Sequence, residues 1–458
     1  MEKQYKLNRR AFIKKTAAYG TLFTLSTPFF ALPRAFPDLT RHGLKILDFA
    51  HLTDVHITDG TNPLRAEVFD NIPGLGASWR PQQNMSAVAF DAVVRLINQE
   101  HDKIPFDFII STGDQVDNAM RNEFQWFTDI INGNEMPEFY QKLVAKNIMP
   151  RVDPHGLDAG IPFYAAIGNH DTMIVGNFPA KLMEYIHFHM AKRYGFDIAT
   201  QTEVIEILHD YGFGKMPGGV DGYYSFTPNE YIHCIVLNTN NDNWIEGLVD
   251  NFFFLRKDIV KRIVNKRAFG SKKIILYDIL RAFFDWVEKQ TGGVIGGISE
   301  GTLDRKQFAW MKREIEENSN KICLVFSHHG PDSFLSPIGN VTPYELKKTF
   351  CSYNNVIGHI YGHDHRNLIT REEKGNGSYL SISTCSVIEY PQEVRRISIW
   401  DNRDGSGTIS CRMFQHGYNK SIETSRNDPQ LDKTYVGMTK DRDVDLDFNM
   451  QSLLQVSL

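Results

Sequence analysis

The sequence predicts an α/β fold in which helices cover a sheet, and three observations carry that expectation. Short apolar runs recur along the chain, each ending in a polar loop rich in His and Asp. Stretches with helical spacing lie between several of them. The 458-residue composition, 42% hydrophobic and 23% charged, is that of a globular protein and excludes collagen, coiled coil and wholesale disorder. No stretch reaches the ~20 apolar residues that a membrane span needs.

Taken in order, the N-terminus stands apart from the fold. Residues 6–15 read KLNRRAFIKK, and a moderately apolar run follows over 16–32. The pair Arg9-Arg10 before a weakly hydrophobic stretch resembles a twin-arginine export signal spanning residues 1–37. An amphipathic first helix is the alternative, but Pro28 and Pro33 would break it. Cleavage is expected within 31–42. The resemblance implies export in the folded state by the twin-arginine translocase, to the periplasm or beyond the cell. Without residues 1–37 the chain keeps 43 Lys and Arg against 54 Asp and Glu, a net charge of −11. Such a chain does not hold polyanions by its bulk field, so nucleic acid is not an expected partner. A phosphate substrate has to be held locally, most simply by metal ions.

Buried strands are expected at 45–52, 106–111, 161–167, 232–237, 322–326 and 356–361, because each is a short apolar run bounded by turn residues. Helices are expected at 84–99, with Val88, Ala92 and Leu96 on one stripe, at 178–193, and at 304–317, where Asp304 marks the first turn. Three later runs, 379–387, 394–400 and 408–414, read as successive strands of a second, antiparallel sheet. The catalytic domain is thus expected over 44–416, with an insertion at 240–299 and a surface tail at 417–458. The insertion carries a basic stretch over 256–273, read as a solvated helix face or as a lid over the substrate. Five cysteines (234, 323, 351, 385, 411) lack C-x-x-C spacing, which excludes a zinc ribbon, and their odd number leaves at least one unpaired.

The chemistry collects where the apolar runs end. Asp54, His56, Asp114, Asn169, His170, His328, His363 and His365 all follow such runs, and carboxylate, imidazole and amide oxygen together form a ligand set for two first-row metal ions. In sheets of this kind, ligands bind at the carboxyl ends of strands.

The series Asp54-x-His56, Gly113-Asp114-x-x-Asp117, Gly168-Asn169-His170-Asp171, His328-His329 and Gly362-His363-x-His365 resembles the calcineurin-like metallophosphoesterase superfamily. Asn118 after Asp117, and the 222–226 segment GYYSF leading to Asn238, resemble its bacterial phosphodiesterase branch. The resemblance implies a two-sheet β-sandwich flanked by α-helices in four layers. It implies two metal ions (Mn, Fe, Zn or Co), one held by Asp54, His56 and His365, the other by Asn169, His328 and His363, with Asp114 bridging them through its two oxygens. A metal-bridging hydroxide would attack a phosphodiester or phosphomonoester of a small molecule or lipid headgroup. His170 would act at the leaving group, oriented by Asp117. His329 is an alternative to His328 as ligand. His359, on the face of Tyr361 and His363, is expected to be packed, Asp171 to be a hydrogen-bond acceptor, and Tyr223, Tyr224 and Trp244 to be core residues or to line the substrate site. Two rival readings are an acid- or alkaline-type phosphomonoesterase and a non-catalytic metal-binding protein of the same fold; a nuclease is disfavoured by the acidic charge.

Overall fold

The computed structural model describes residues 43–61, 80–174, 176, 178–179, 197–214, 221–240, 282, 299–334 and 340–450. The export signal, nearly all of the 240–299 insertion with Trp244 and the basic stretch, and most of the helix expected at 178–193 lie outside the described residues.

Fourteen strands are described. Up to residue 240 the chain contributes β1 (Leu44–Leu52), β2 (Phe108–Ser111), β3 (Phe163–Ala165), the two-residue strands β4 (Met173–Ile174) and β5 (Phe178–Pro179), β6 (Tyr224–Phe226) and β7 (Ile232–Val236). The remainder contributes β8 (Ile322–Phe326), β9 (Val356–Tyr361), β10 (Leu368–Lys374), β11 (Gly377–Ser383), β12 (Glu393–Asp401), β13 (Ser406–Gln415) and β14 (Val444–Asn449). Twelve of them form two mixed six-stranded sheets, ordered β14-β13-β12-β1-β2-β3 and β10-β11-β9-β8-β7-β6, and β4 pairs with β5 in a small separate one. Within the first, β1, β2 and β3 run parallel and β12 to β14 antiparallel. Within the second, β7, β8, β9 and β11 run parallel between antiparallel edges. The parallel strands are buried on both faces, which is why they read as continuous apolar runs rather than alternating ones.

The sandwich closes on aromatic rings from both sheets. Phe49 stacks on Phe108 with centroids 4.8 Å apart, and these meet Phe326 and Phe226 edge-on at 5.7 and 5.3 Å. Helices α1 (Ser86–Lys103), α2 (Arg121–Asn132) and α3 (Glu138–Ala145) belong to the same core. The one-turn α4 (Asn169–Thr172) and α5 (Gln201–Ile207) follow. A second core joins α6 (Arg305–Glu317) and α7 (Pro343–Ser352) to the second sheet through Phe308, Met311, Leu346 and Phe350 against Ile235, Cys323 and Val325. No helix among the described residues is long and apolar enough to cross a membrane.

Three features differ from the sequence expectation. Helix α1 buries Phe90, Val93, Val94 and Ile97, while Val88, Ala92 and Leu96 are half-buried. Apolar residues ring most of this helix, and the ring of Phe90, stacked 5.0 Å from Phe127 of α2, selects the face. The three late strands do not make a sheet of their own. β11 joins the second sheet beside β9, whereas β12 and β13 extend the first sheet beside β1, because the loop between β11 and β12 crosses from one sheet to the other. Finally, the surface tail expected at 417–458 carries regular structure over 417–450, where it forms α8 (Asn419–Arg426) and the edge strand β14. All five cysteines are free and buried.

Candidate metal centre

The parallel strands β1, β2, β3, β8 and β9 all deliver their carboxyl ends to one place. Main-chain bonds tie the loops together there: Asp54 N–H donates to Gly113 O (3.0 Å), His56 N–H to Asp114 O (2.9 Å) and Gly362 N–H to His328 O (3.0 Å). Gly113 has φ +100°, and a Cβ there would lie 2.5 Å from His328 Nδ1, so glycine is what allows this loop to approach the ring. Asp171 accepts N–H bonds from Asp114 (2.9 Å), Val116 (3.2 Å) and Gly168 (2.8 Å), pinning two loops with one carboxylate.

The structure brings Asp54, His56, Asp114, Asn169, His170, His328, His363 and His365 into one cluster. Donor atoms fall into overlapping groups: Asp54 with His56 and His365, Asp54 with Asp114 and His328, His56 with Asp114 and His170, and His328 with His329 and His363. His365 Nε2 lies 3.1 Å from Asp54 Oδ1, and His328 Nε2 lies 3.3 Å from Asp114 Oδ2 and 2.9 Å from Asn169 Oδ1.

Each carboxylate presents one oxygen inward. Asp114 Oδ1 accepts the His170 N–H at 2.8 Å, which leaves Oδ2 facing both His328 (3.3 Å) and His56 (3.7 Å). Asp54 Oδ2 accepts from the His363 N–H (3.1 Å) and the Thr53 hydroxyl (2.7 Å), and its buried Oδ1 has no hydrogen-bond partner.

The imidazoles are oriented from behind. His56 Nδ1 donates to Asp117 Oδ1 (3.1 Å), His328 Nδ1 to Thr112 O (2.7 Å) and His365 Nδ1 to Glu389. With Nδ1 carrying the proton, Nε2 of each ring presents a lone pair to the centre. His56 Nε2 and His365 Nε2 then face each other at 3.2 Å, and His328 Nε2 faces the Asn169 oxygen, whose amide is fixed by donation from Nδ2 to Gly176 O (3.0 Å). With these nitrogens unprotonated, acceptors face acceptors at these distances, an arrangement that a cation between them relieves. The donor set fits divalent metal ions.

The negative field of the carboxylates also draws protons onto two of these rings, which a bound cation would displace. Burial opposes protonation of His365, yet Asp54 and Glu389 push it up to about 10; burial likewise opposes it at His328, which Asp114 pushes up to about 9. Burial would raise Asp54 and Asp114, but His365 and His328 respectively hold them below the usual carboxylate range. Burial and the neighbouring His328 push His363 down to about 3.

His329 stands apart from the ligand role. Its Nδ1 meets the Thr239 hydroxyl (2.9 Å) and its Nε2 donates to Ser299 O (2.9 Å), so both ring nitrogens are committed. His359 is buried against the Ser327 hydroxyl (2.7 Å), and Tyr224 donates to Ala165 O (2.8 Å) in the core; Tyr223 is also buried. Asp117 serves two rings: its carboxylate lies 3.1 Å from His56 Nδ1 and 3.3 Å from His170 Nδ1, while its main-chain oxygen accepts from His170 Nδ1 at 2.9 Å. Sequence reasoning missed Glu389, Arg80 and Glu300. Glu389 accepts from His365 and pairs with Arg80; Glu300 Oε2 lies 3.9 Å from His363 Nε2. None sits in the motif series, and no spacing in the sequence points to them.

A mixed two-sheet sandwich with inward-facing imidazole, carboxylate and amide donors at five strand ends defines a candidate metal-binding protein. The chain belongs to the calcineurin-like phosphoesterase family, which matches residues 47–367. Similar solved structures include the calcineurin-like phosphoesterase YfkN from Bacillus subtilis, 11% identical over 83% of this chain and 97% of that one, with a TM-score of 0.31. Another is the sulfate thiohydrolase SoxB from Thermus thermophilus in complex with glycerol, 8% identical over 83% of this chain and 57% of that one, with a TM-score of 0.33. A search of curated proteins gives no match.

Proposed function

We propose that this protein is an exported phosphoesterase with two metal ions, acting on a phosphodiester of a small molecule or lipid headgroup. The observation that carries the reading is the facing of lone pairs at the centre, His56 Nε2 against His365 Nε2 and His328 Nε2 against Asn169 Oδ1. Asp54, His56 and His365 would hold one ion and Asn169, His328 and His363 the other, with Asp114 shared by both. When bound, the ions (Mn, Fe, Zn or Co) supply Lewis acidity that lowers the pKa of water and neutralises phosphate charge. His170 supplies the proton. Burial works against its charged form, but Asp114 and Asp117 raise its pKa, and its Nδ1 is committed to Asp117, leaving Nε2 to donate to the leaving-group oxygen.

The diester preference over a monoester draws support from two side chains. Asn118 bonds the carboxylates of Asp117 and Glu123, and Arg80 is paired with Glu389. Neither offers an uncommitted cation to a monoester dianion. Export draws support from Arg9-Arg10 and from a fold whose cysteines are all free, as suits a chain that folds before translocation.

The test compares bis-p-nitrophenyl phosphate with p-nitrophenyl phosphate after chelation and reloading with Mn, Zn, Co or Fe. Diester turnover that chelation abolishes and reloading restores is expected; no turnover of either ester with any metal refutes the enzymatic reading, and faster monoester turnover favours the phosphatase alternative. Replacing Arg9 and Arg10 together by Lys is expected to keep the protein in the cytoplasm; unchanged export refutes the twin-arginine reading.

A further inference from the structure

We propose that Arg80 and Glu389 form a positioning relay that makes the Asp54/His56/His365 half of the centre bind its ion more tightly than the Asn169/His328/His363 half. The inference rests on the two-ion reading above and adds an asymmetry to it.

The rings are not backed alike. His328 donates to a neutral main-chain carbonyl, that of Thr112. Among the described residues, His363 is backed by the Glu300 oxygen at 3.9 Å from its Nε2, beyond hydrogen-bond reach. His56 and His365, on the other half, both donate to carboxylates, Asp117 and Glu389. An anionic acceptor polarises the ring more strongly than an amide does and makes the opposite nitrogen a better donor to a cation. Asp117 divides itself between His56 and His170, so Glu389 is the carboxylate given to a single ring.

Two arrangements hold Glu389 in this role. Arg80 Nε pairs with its other oxygen, which fixes the carboxylate with its remaining oxygen on His365 Nδ1. The loop that carries it, between β11 and β12, is fastened to the Asp54 loop: Ser386 Oγ donates to Asp54 O (2.7 Å), and Val387 N–H donates to Thr53 O (3.1 Å). Arg80 is linked in turn to the second carboxylate. Its N–H donates to Gln83 Oε1 (3.3 Å), and Gln83 Nε2 donates to Asp117 Oδ2 (3.4 Å). One short segment thus supports both carboxylates behind the same half of the centre. Glu389 lies beyond residues 47–367, so the family match does not include it.

The experiment titrates Mn²⁺ into the metal-stripped full chain by calorimetry, for the wild type, Glu389→Gln and Arg80→Gln, with circular dichroism checking the fold. The wild type is expected to show a tighter and a weaker event. Glu389→Gln keeps an acceptor but removes its charge; it should weaken the tighter event by about 10–100-fold and leave the weaker one unchanged. Arg80→Gln should act on the same event in the same direction, and it decides the matter if Glu389→Gln fails to fold. Equal weakening of both events, or no change in either, overturns the relay and leaves the two-ion reading standing. A wild type that binds no Mn²⁺ overturns both.

Discussion

Replacing His170 by Asn separates proton donation from metal binding. His170 Nε2 lies 4.0 Å from Asp114 Oδ2, and its Nδ1 donates to Asp117 O at 2.9 Å. The proposed ligands are untouched by the change. A positioned acid contributes about 10²–10⁴ in rate, equivalent to about 2.7–5.4 kcal/mol of barrier. The charged ring adds to this, since opposite charges about 4 Å apart interact by about 4 kcal/mol at an effective dielectric of 20. The size of the loss should depend on the leaving group. An alkoxide must be protonated as it departs, so an alkyl diester should lose kcat by the upper part of that range. A p-nitrophenolate leaves as a stable anion, so bis-p-nitrophenyl phosphate should lose far less. The assay is steady-state kinetics on both esters with metal content measured by mass spectrometry. Equal losses on the two esters refute His170 as the proton donor, and a drop in bound metal would make it a ligand instead.

Other outcomes follow from the same geometry. Gly176→Ala should lower kcat at a stability cost of about 1–2 kcal/mol, because Gly176 has φ +65° and a Cβ there would lie 2.3 Å from His170 Cδ2; unchanged kinetics would mean the ring can move freely. Asp171→Ala removes the acceptor of three buried N–H groups and should cost about 3 kcal/mol or more in urea unfolding. Acid sensitivity should trace in part to His51, buried between the Thr112 and Thr384 hydroxyls (2.8 Å each) and pushed down to about 3 by burial and then by Arg395. An unfolded ring takes a proton near pH 6.5 and the folded ring does not until about 3, so this contribution is full above pH 6.5 and is lost as pH falls through that window, by up to about 1.4 kcal/mol per unit. His51→Gln should flatten the pH dependence of the urea midpoint between pH 6.5 and 4; an unchanged slope would place the acid sensitivity elsewhere.

Much of the fold was legible because parallel strands buried on both faces leave uninterrupted apolar runs. The strands at 322–326 and 356–361 were read to the residue. Sheet membership was not legible, since β11 and β12 are adjacent in sequence but lie in different sheets, and partner choice between strands leaves no mark on either strand's pattern. The late residues 417–450 read as polar because α8 and the edge strand β14 keep much of their surface in solvent. At the site, the residues of the motif series could be named because each follows a strand. Of the groups behind them, Asp117 and Asp171 lie within the series and could be named too, but two others could not. Thr112 acts through its carbonyl, which any residue would supply, and Glu389 acts from a loop whose path depends on the crossover between sheets.

The backbone at the centre shows what the surrounding fold has to do. Asp54, His56, Asp114, His363 and His365 all have left-handed φ, between 47° and 67°. Each such residue costs on the order of 1 kcal/mol, and five together approach the net stability of about 5–15 kcal/mol typical of a whole domain. They hold only because their neighbours fix them: Asp54 N–H and His56 N–H bond across to the 113–114 loop, and the His363 N–H bonds to Asp54 Oδ2. An extended strand already sets side chains two apart on one face, so the spacing pairs Asp54 with His56 and His363 with His365, and the left-handed residues turn the chain at the strand end. Asp and His tolerate this conformation better than most residues, and they are also the residues that bind metal. The D-x-H and H-x-H spacings read from the sequence therefore record backbone geometry as well as coordination chemistry. For that reason an Asp54→Ala change should remove a donor and also release the strand-end turn that aims His56.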